Sequence, residues 1–319
     1  MRDVFALAAE WLAEGRPFAL ATLVALRQAA PAPLGTTIAV DDLGHIVGNI
    51  GAGCYESEIV EACLQTASDG RTRTLEINLT SDDELAGGTA CGAEMEIVVW
   101  RPPTTFIETA AEIAAGERDV RFEIVYEPEE RGPVTFEYAF TSRESLLLVG
   151  ATALAAEIAA VARRLDFRVI VIDPRPAFAT HERVPDADEI VGEWPEDYLP
   201  RALSTRTSIV MLSHDPKLDL PGLRSALDSE APFIGLLGSR KAQAARRSSL
   251  RADGFSQEAL ARIHGPVGLD IGGTTTAETA LSILAEVVAA RHQREGAPLR
   301  SSGGAIHSVR TPAAQPQAT

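Results

Sequence analysis

The chain has 319 residues, 45% hydrophobic and 23% charged, with 45 acidic side chains against 29 basic ones and a formal net charge of −16. That length suits about two domains of ordinary size with the composition of a soluble globular protein, and the acidic balance excludes a nucleic-acid surface, which needs a basic footprint. The apolar stretch from Leu146 to Ala162 is interrupted by Glu157, and no run reaches the roughly 20 apolar residues of a membrane span. With an early acid at Asp3 and no signal-peptide pattern, a cytoplasmic protein without a membrane span is expected.

An amphipathic opening from Val4 to Leu12 predicts a helix, followed by strand-like Phe18–Val24 and Thr37–Val40. The turn Asp41-Asp42-Leu43-Gly44 predicts a hairpin into His45-Ile46-Val47. The run from Val47 to Cys54 is glycine-rich and opens a helix-like stretch, Tyr55–Ala62; Met95–Val99 then reads as a strand. Pro102-Pro103 breaks this α+β pattern. From Thr104 to Glu144 the sequence reads as connecting structure, with a helix over Phe106–Ala115 and two short strand-like runs.

From Ser145 the pattern alternates between strand and helix. Leu146–Val149 precedes a helix from Ala153 to Leu165, and Val169–Ile172 is a continuous β-branched run of the kind buried in parallel sheets. Ser208–Leu212 and Phe233–Leu237 are the next strands. Stacked βαβ units of this kind make a Rossmann-like sheet. Thr275 and Glu278 form a capping box ahead of a long helix, Ala277–Arg291. The expected fold class is thus α/β: an N-terminal α+β domain over residues 1–101, a connecting segment 102–144, a Rossmann-like parallel-sheet domain 145–295 and a disordered tail 296–319 rich in Gly, Ser, Ala and Pro.

Two of the three cysteines sit among glycines. Cys54, after Gly53, is placed where a helix start offers unpaired N–H groups and a positive dipole, which favours the reactive thiolate. Cys91 lies in a comparable loop, Gly87–Gly92. Cys63 falls nine residues after Cys54, on the opposite face of the same helix, and its apolar neighbours mark it as a small buried hydrophobe. There is no CxxC, which argues against a zinc ribbon, and three cysteines do not make a disulfide framework. Two thiolates without a histidine or carboxylate at ligand spacing do not define a metal site.

In the second half, Gly150-Ala151-Thr152-Ala153-Leu154-Ala155 occupies the place of a G-x-G-x-x-A dinucleotide turn, and Asp173 ends the next strand where an acid can meet a ribose hydroxyl. Thr152 replaces the second glycine; its Cβ would crowd a pyrophosphate, while its hydroxyl could donate to one. Further loops follow the later strands: Ser213-His214-Asp215-Pro216, Gly238-Ser239-Arg240-Lys241, and the Gly268–Gly273 loop carrying Asp270. Gly-Ser-Arg at a helix start can cradle an anion, or can be an ordinary cap with solvated Arg246 and Arg247. His214 can be a base, a ligand or a structural hydrogen bonder.

The joint presence of Ala30–Gly35, Gly51–Glu56, Cys91-Gly92, Val171–Arg175, Ser213–Lys217, Gly235–Arg240 and Pro266–Gly272, in this order, resembles the XdhC/CoxI family, accessory proteins of xanthine dehydrogenase and carbon monoxide dehydrogenase. The resemblance runs from Ala19 to about Ile306 and departs from the family at Thr152 and Ala93, where glycine is frequent. It implies a chaperone that binds molybdenum cofactor, supports its sulfuration by a cysteine desulfurase and inserts it into a molybdenum hydroxylase, working without turnover as a homodimer. The family cysteines matching Cys54 and Cys91 would meet the cofactor, and the Rossmann-like half would hold its phosphate. The competing readings are an NAD(P)-dependent oxidoreductase using Cys54 or His214, a cysteine-dependent enzyme passing through a covalent intermediate, and a structural partner protein.

Overall fold

The structure, a computed structural model, describes residues 1–27, 32–50, 55–78, 94–128 and 131–301. The chain divides into two compact units, Met1–Ser142 and the part beginning at Arg143.

In the first unit, in chain order, are α1 (Arg2–Glu14), β1 (Phe18–Arg27), β2 (Thr37–Asp41), β3 (Ile46–Val47), α2 (Glu56–Asp69), β4 (Arg73–Asn78), β5 (Glu94–Trp100), α3 (Ile107–Ala115), β6 (Val120–Tyr126) and β7 (Val134–Phe140). The sheet runs β3-β2-β1-β5-β4 with antiparallel pairing throughout. Because side chains alternate along a strand, Leu20, Val24, Val98 and Trp100 face α1, α3 and the β6–β7 hairpin. Ala19, Ala21, Leu23, Ile97 and Val99 face α2. Both faces are covered, which is why β2 is buried at every position. The expected hairpin at Asp41 is present. Gly44 takes φ +83°, and the Asp41 carboxylate accepts the N–H groups of Leu43 and His45 and bonds the His45 ring at 2.8 Å.

The segment expected to connect the two domains is instead built into this first core. Phe122 and Tyr138 stack with centroids 4.9 Å apart, Phe140 meets Phe5 edge-on at 5.1 Å, and the Tyr138 hydroxyl bonds Thr37 at 2.9 Å. Alternating aromatics in a two-stranded ribbon have no stable place in solvent, so the hairpin closes over α1 and α3. Cys63 lies wholly buried in α2, and burial pushes its thiol up to about 12, as its apolar neighbours predict.

The second unit contains β8 (Glu144–Val149), α4 (Ala153–Arg164), β9 (Phe167–Ile172), β10 (Glu189–Val191), α5 (Pro195–Ala202), β11 (Thr207–Met211), α6 (Pro216–Leu227), β12 (Phe233–Leu236), α7 (Arg240–Ala252), α8 (Gln257–Ala261), β13 (Ile263–His264) and α9 (Thr276–Arg291). Its sheet is parallel in the order β10-β9-β8-β11-β12-β13. The helices α4 and α9 cover one face and α5 to α8 the other, so this is the doubly wound, Rossmann-type arrangement expected from the alternating pattern. The capping box on α9 forms as predicted. At the start of the stretch expected to be disordered, Gly296 sits so close to Leu269 that a Cβ would come within 2.7 Å, and Leu299–Ser301 forms a short 3₁₀ turn. The remaining tail, 302–319, lies outside the described residues, as do Gly53, Cys54 and Cys91. No helix among the described residues is long and apolar enough to cross a membrane.

Candidate functional site

Chain order places the ligand-binding edge of the second unit. From β8 the chain steps to β9 and β10 on one side, then returns to β11 on the other, so the strand order reverses between β8 and β11. Open α/β sheets bind ligands beyond the carboxyl ends of strands at such a point. The loops carrying Gly150 and Thr152, Ser213 and His214, and Gly238 to Arg240 follow β8, β11 and β12, three adjacent strands, and share that edge. Asp173 follows β9, one strand further out. Asp270 lies beyond β13, exposed in a loop whose flanks are fastened to α9 by Gly268 N–H on Glu286 and by the Ser282 hydroxyl on the Leu269 carbonyl.

The β8 and β11 loops meet backbone to backbone. Gly150 has φ +109°, and a Cβ built on it would stand 3.0 Å from Ser213 Cα and 3.1 Å from its nitrogen. Only glycine fits that conformation and that approach. The turn then satisfies itself: Ala151 N–H donates to Asp173 Oδ2 at 2.9 Å, Thr152 N–H to the Gly150 carbonyl at 2.9 Å, and Ala155 N–H to Thr152 Oγ1 at 3.2 Å. Thr152 is thus the N-cap of α4, and its oxygen accepts from the helix.

Asp173 is turned back into the protein. Beyond Ala151, its carboxylate accepts Arg175 N–H, Nε and Nη2 at 3.1, 2.8 and 2.7 Å, and it has no exposed surface. Burial alone would raise its pKa. The Arg175 side chain and the backbone N–H groups of Ala151 and Arg175 outweigh that and hold it below the ordinary carboxylate value. The position expected to meet a ribose hydroxyl is therefore spent on Arg175 and on the turn before α4. Arg175 in turn lies 4.0 Å over the Phe178 ring, with Arg183 at 4.8 Å from the same ring.

His214 is exposed and takes φ +58°, a left-handed conformation uncommon for a side chain of its size. Its neighbours hold the turn. Ser213 Oγ donates to Asp219 Oδ1 at 2.6 Å and accepts Asp215 N–H at 3.1 Å, and Asp215 caps α6 through Lys217 N–H at 2.9 Å. Asp219 is wholly buried, and its other oxygen receives Arg246 Nη2 at 2.5 Å.

Arg246 is not the solvated side chain that the ordinary-cap alternative for this turn would have. It is 7% exposed, its Nε is buried without a partner, and its Nη1 lies 3.9 Å from where a Cβ on Gly238 would be. Arg247 is also engaged, donating to the Leu260 and Ile263 carbonyls at 2.5 and 2.7 Å. The signal was present in the spacing: Gln243, Arg246 and Leu250 share one helical face, and all three are buried. Ser239 is the N-cap of α7, accepting Ala242 N–H at 3.3 Å, while Arg240 and Lys241 are exposed.

Among the described residues no group of three His, Cys, Asp or Glu side chains could hold a metal ion. A depression of about 420 Å³ between the ends of α5 and α6, lined by Leu203, Ser225 and Asp228, lies at the opposite edge of the sheet, where strands begin.

A family model described as the XdhC Rossmann domain matches residues 146–287, and one described as the XdhC and CoxI family matches residues 11–78. PaoD of Escherichia coli K12, named a molybdenum cofactor insertion chaperone, is 26% identical over 322 aligned positions that cover 94% of this chain and 92% of PaoD. A Bacillus subtilis protein, named as a probable component of xanthine dehydrogenase, is 31% identical over 147 positions, 46% of this chain and 42% of that one. The uncharacterized YqeB of Escherichia coli K12 is 26% identical across 92% of this chain, which spans only 47% of YqeB. A solved chain described as a xanthine dehydrogenase from Bacillus halodurans superposes with a TM-score of 0.74 at 21% identity, covering 91% of this chain and 96% of its own, a likeness of fold.

Proposed function

Because the chain belongs to the XdhC/CoxI family, we propose that it binds a molybdenum cofactor, shields it while a cysteine desulfurase converts it to the sulfurated form, and delivers it to an apo-molybdenum hydroxylase. The observation that carries this reading is the match to PaoD over nearly the full length of both chains. Cys54 and Cys91 are the proposed contacts to the molybdenum end, since thiolates are soft ligands suited to that metal. A homodimer in the cytoplasm is part of the same proposal, on the family resemblance alone.

The second unit fits the anionic end of such a cargo. Its buried Arg246 keeps an orphan Nε, and Gly238 leaves open the place beside the guanidinium that a Cβ would fill. The exposed Arg240 and Lys241 add positive charge at the start of α7. His214, displayed on a turn held by Ser213 and Asp219, is available from the neighbouring strand. The protein's part is to bind and orient; the cofactor carries the oxidation chemistry once it reaches its client.

The NAD(P) reading draws no comparable support. Asp173 is committed to Arg175 and to Ala151 N–H, so the usual ribose acceptor is not free, and Thr152 stands where the second glycine would let a pyrophosphate approach. Equilibrium binding of anaerobically prepared molybdenum cofactor to the wild type, Cys54→Ser and Cys91→Ser, with NAD(H) titrated in parallel, tests the proposal. Tight cofactor binding that either substitution weakens is the expected result; NAD(H) binding with no cofactor binding would replace this reading with the oxidoreductase.

A further inference from the structure

We propose that the β12–α7 turn is a receptor for a terminal phosphate monoester and that Arg246, reaching the turn from inside the fold, is the residue that recognises it. The inference rests on the cofactor reading and adds where the cargo's phosphate is held.

The turn offers donors without acceptors. Leu237 N–H continues the ladder to the Met211 carbonyl, Gly238 takes φ +130°, and the Ser239 hydroxyl oxygen is taken by Ala242 N–H. The backbone N–H groups of Arg240 and Lys241 meet no acceptor among the described residues. They stand at the positive end of a 13-residue helix. Every capped helix has such an end, so this alone does not make a site.

Arg246 is the independent feature. An arginine 7% exposed normally has its guanidinium donors matched, because an unmet buried donor is costly. Here one nitrogen is matched: Nη2, to Asp219. Nε has no partner, and Nη1 looks out beside Gly238 at 3.9 Å from the point a Cβ would occupy. The other Asp219 oxygen accepts the Ser213 hydroxyl. A glycine at 238 leaves room beside the guanidinium for a group bearing several acceptor oxygens, and the exposed Arg240 and Lys241 add positive charge at the same helix start. A phosphate monoester presents three such oxygens and two negative charges; a diester presents fewer of both.

The turn before α4, where a dinucleotide phosphate usually binds, is the natural rival. Its Ala151, Thr152 and Ala155 N–H groups are already bonded within the protein. Its next two N–H groups, on Ala153 and Leu154, are as open as those of Arg240 and Lys241, so what sets the α7 turn apart is the buried arginine beside it with an unmatched nitrogen.

The test is calorimetric titration of the full chain with inorganic phosphate, repeated in the presence of NAD⁺, whose phosphates are both diesters. Asp219→Asn combined with Arg246→Met removes the buried pair together, so that no lone charge is left inside. Arg240→Ala with Lys241→Ala alters exposed positions only and carries the test if the first variant does not fold. Saturable phosphate binding is expected, weakened about tenfold or more by the buried double substitution and by a smaller factor by the surface one, and unaffected by NAD⁺. Absence of saturable phosphate binding, equal affinity in the folded variants, or displacement of phosphate by NAD⁺ would overturn the assignment. Phosphate bound through Arg246 in a protein that takes up no molybdenum cofactor would keep this site and remove the cofactor reading; cofactor uptake insensitive to Arg246 would do the reverse.

Discussion

Gly150→Ala places a methyl group where the backbone of the neighbouring loop already lies, and so measures how tightly the two central loops are joined. The new Cβ would stand 3.0 Å from Ser213 Cα, 3.1 Å from its nitrogen and 3.2 Å from its Cβ. These neighbours cannot swing aside, because Ser213 is tied to Asp219 and Asp215. Forcing an L-residue to φ +109° costs about 1–3 kcal/mol, and crowding a packed site adds about 1–3 kcal/mol. The expected loss is about 2–6 kcal/mol, which for a unit of this size lowers its melting temperature by roughly 2–4 °C per kcal/mol. Gly192→Ala is the control in the same unit, since a Cβ there meets nothing within 4 Å. Differential scanning calorimetry of the full chain reads both. A Gly150→Ala protein melting within about 2 °C of wild type would refute the close approach of the β8 and β11 loops.

Thr152→Ala removes the oxygen that accepts Ala155 N–H and is expected to cost about 1 kcal/mol in denaturant unfolding; a neutral result would mean that α4 has another cap. Asp173→Asn should destabilise by about 1–3 kcal/mol at neutral pH. Because the folded-state pKa of Asp173 is lowered from 3.8, that stabilisation is full above 3.8 and lost as the pH falls through the folded value. The two melting curves should therefore converge in acid, and a constant gap would contradict the pairing. Glu278 is held down at about 2 from an ordinary 4.5 by the N–H groups of Thr275 and Thr274, so its contribution is present above 4.5 and fades toward pH 2; Glu278→Gln should flatten that part of the stability profile, and parallel profiles would argue against the capping box. Cys63, with its thiol pushed up to about 12, has only about one thiolate in ten thousand at pH 8. Mass spectrometry should find it alkylated by iodoacetamide only in denaturant, and labelling in the native protein at the rate of a free thiol would place it elsewhere.

The central strands of the second unit were legible because β8, β9, β11 and β12 are short runs of apolar, mostly branched residues buried on both faces, a pattern that few other structures produce. The elements that the pattern hides are those whose local chemistry argues against them. Strand β4 is an edge strand with Arg73, Glu76 and Asn78 in six residues, and α6 carries Pro221 and Gly222 inside a helix stabilised mainly by burial of Leu218, Leu223 and Ala226. The segment 102–144 reads as a connector because Pro102-Pro103 sets it off and charged residues interrupt its two strands; its aromatic residues acquire meaning only against Phe5 and Trp100. At the candidate site the loops were readable from glycine spacing. The inward turn of Asp173 and the burial of Arg246 were not, since both depend on partners, Arg175 and Asp219, whose geometry no local spacing specifies.

Transfer is the claim on which the account depends most directly. Wild-type protein loaded anaerobically with molybdenum cofactor, then mixed with an apo-xanthine dehydrogenase and an excess of a cofactor scavenger, should yield active dehydrogenase faster and in higher yield than the same amount of free cofactor. Activation no better than that from free cofactor, with the loaded protein shown intact beforehand, would contradict a role in delivering the cofactor to its client.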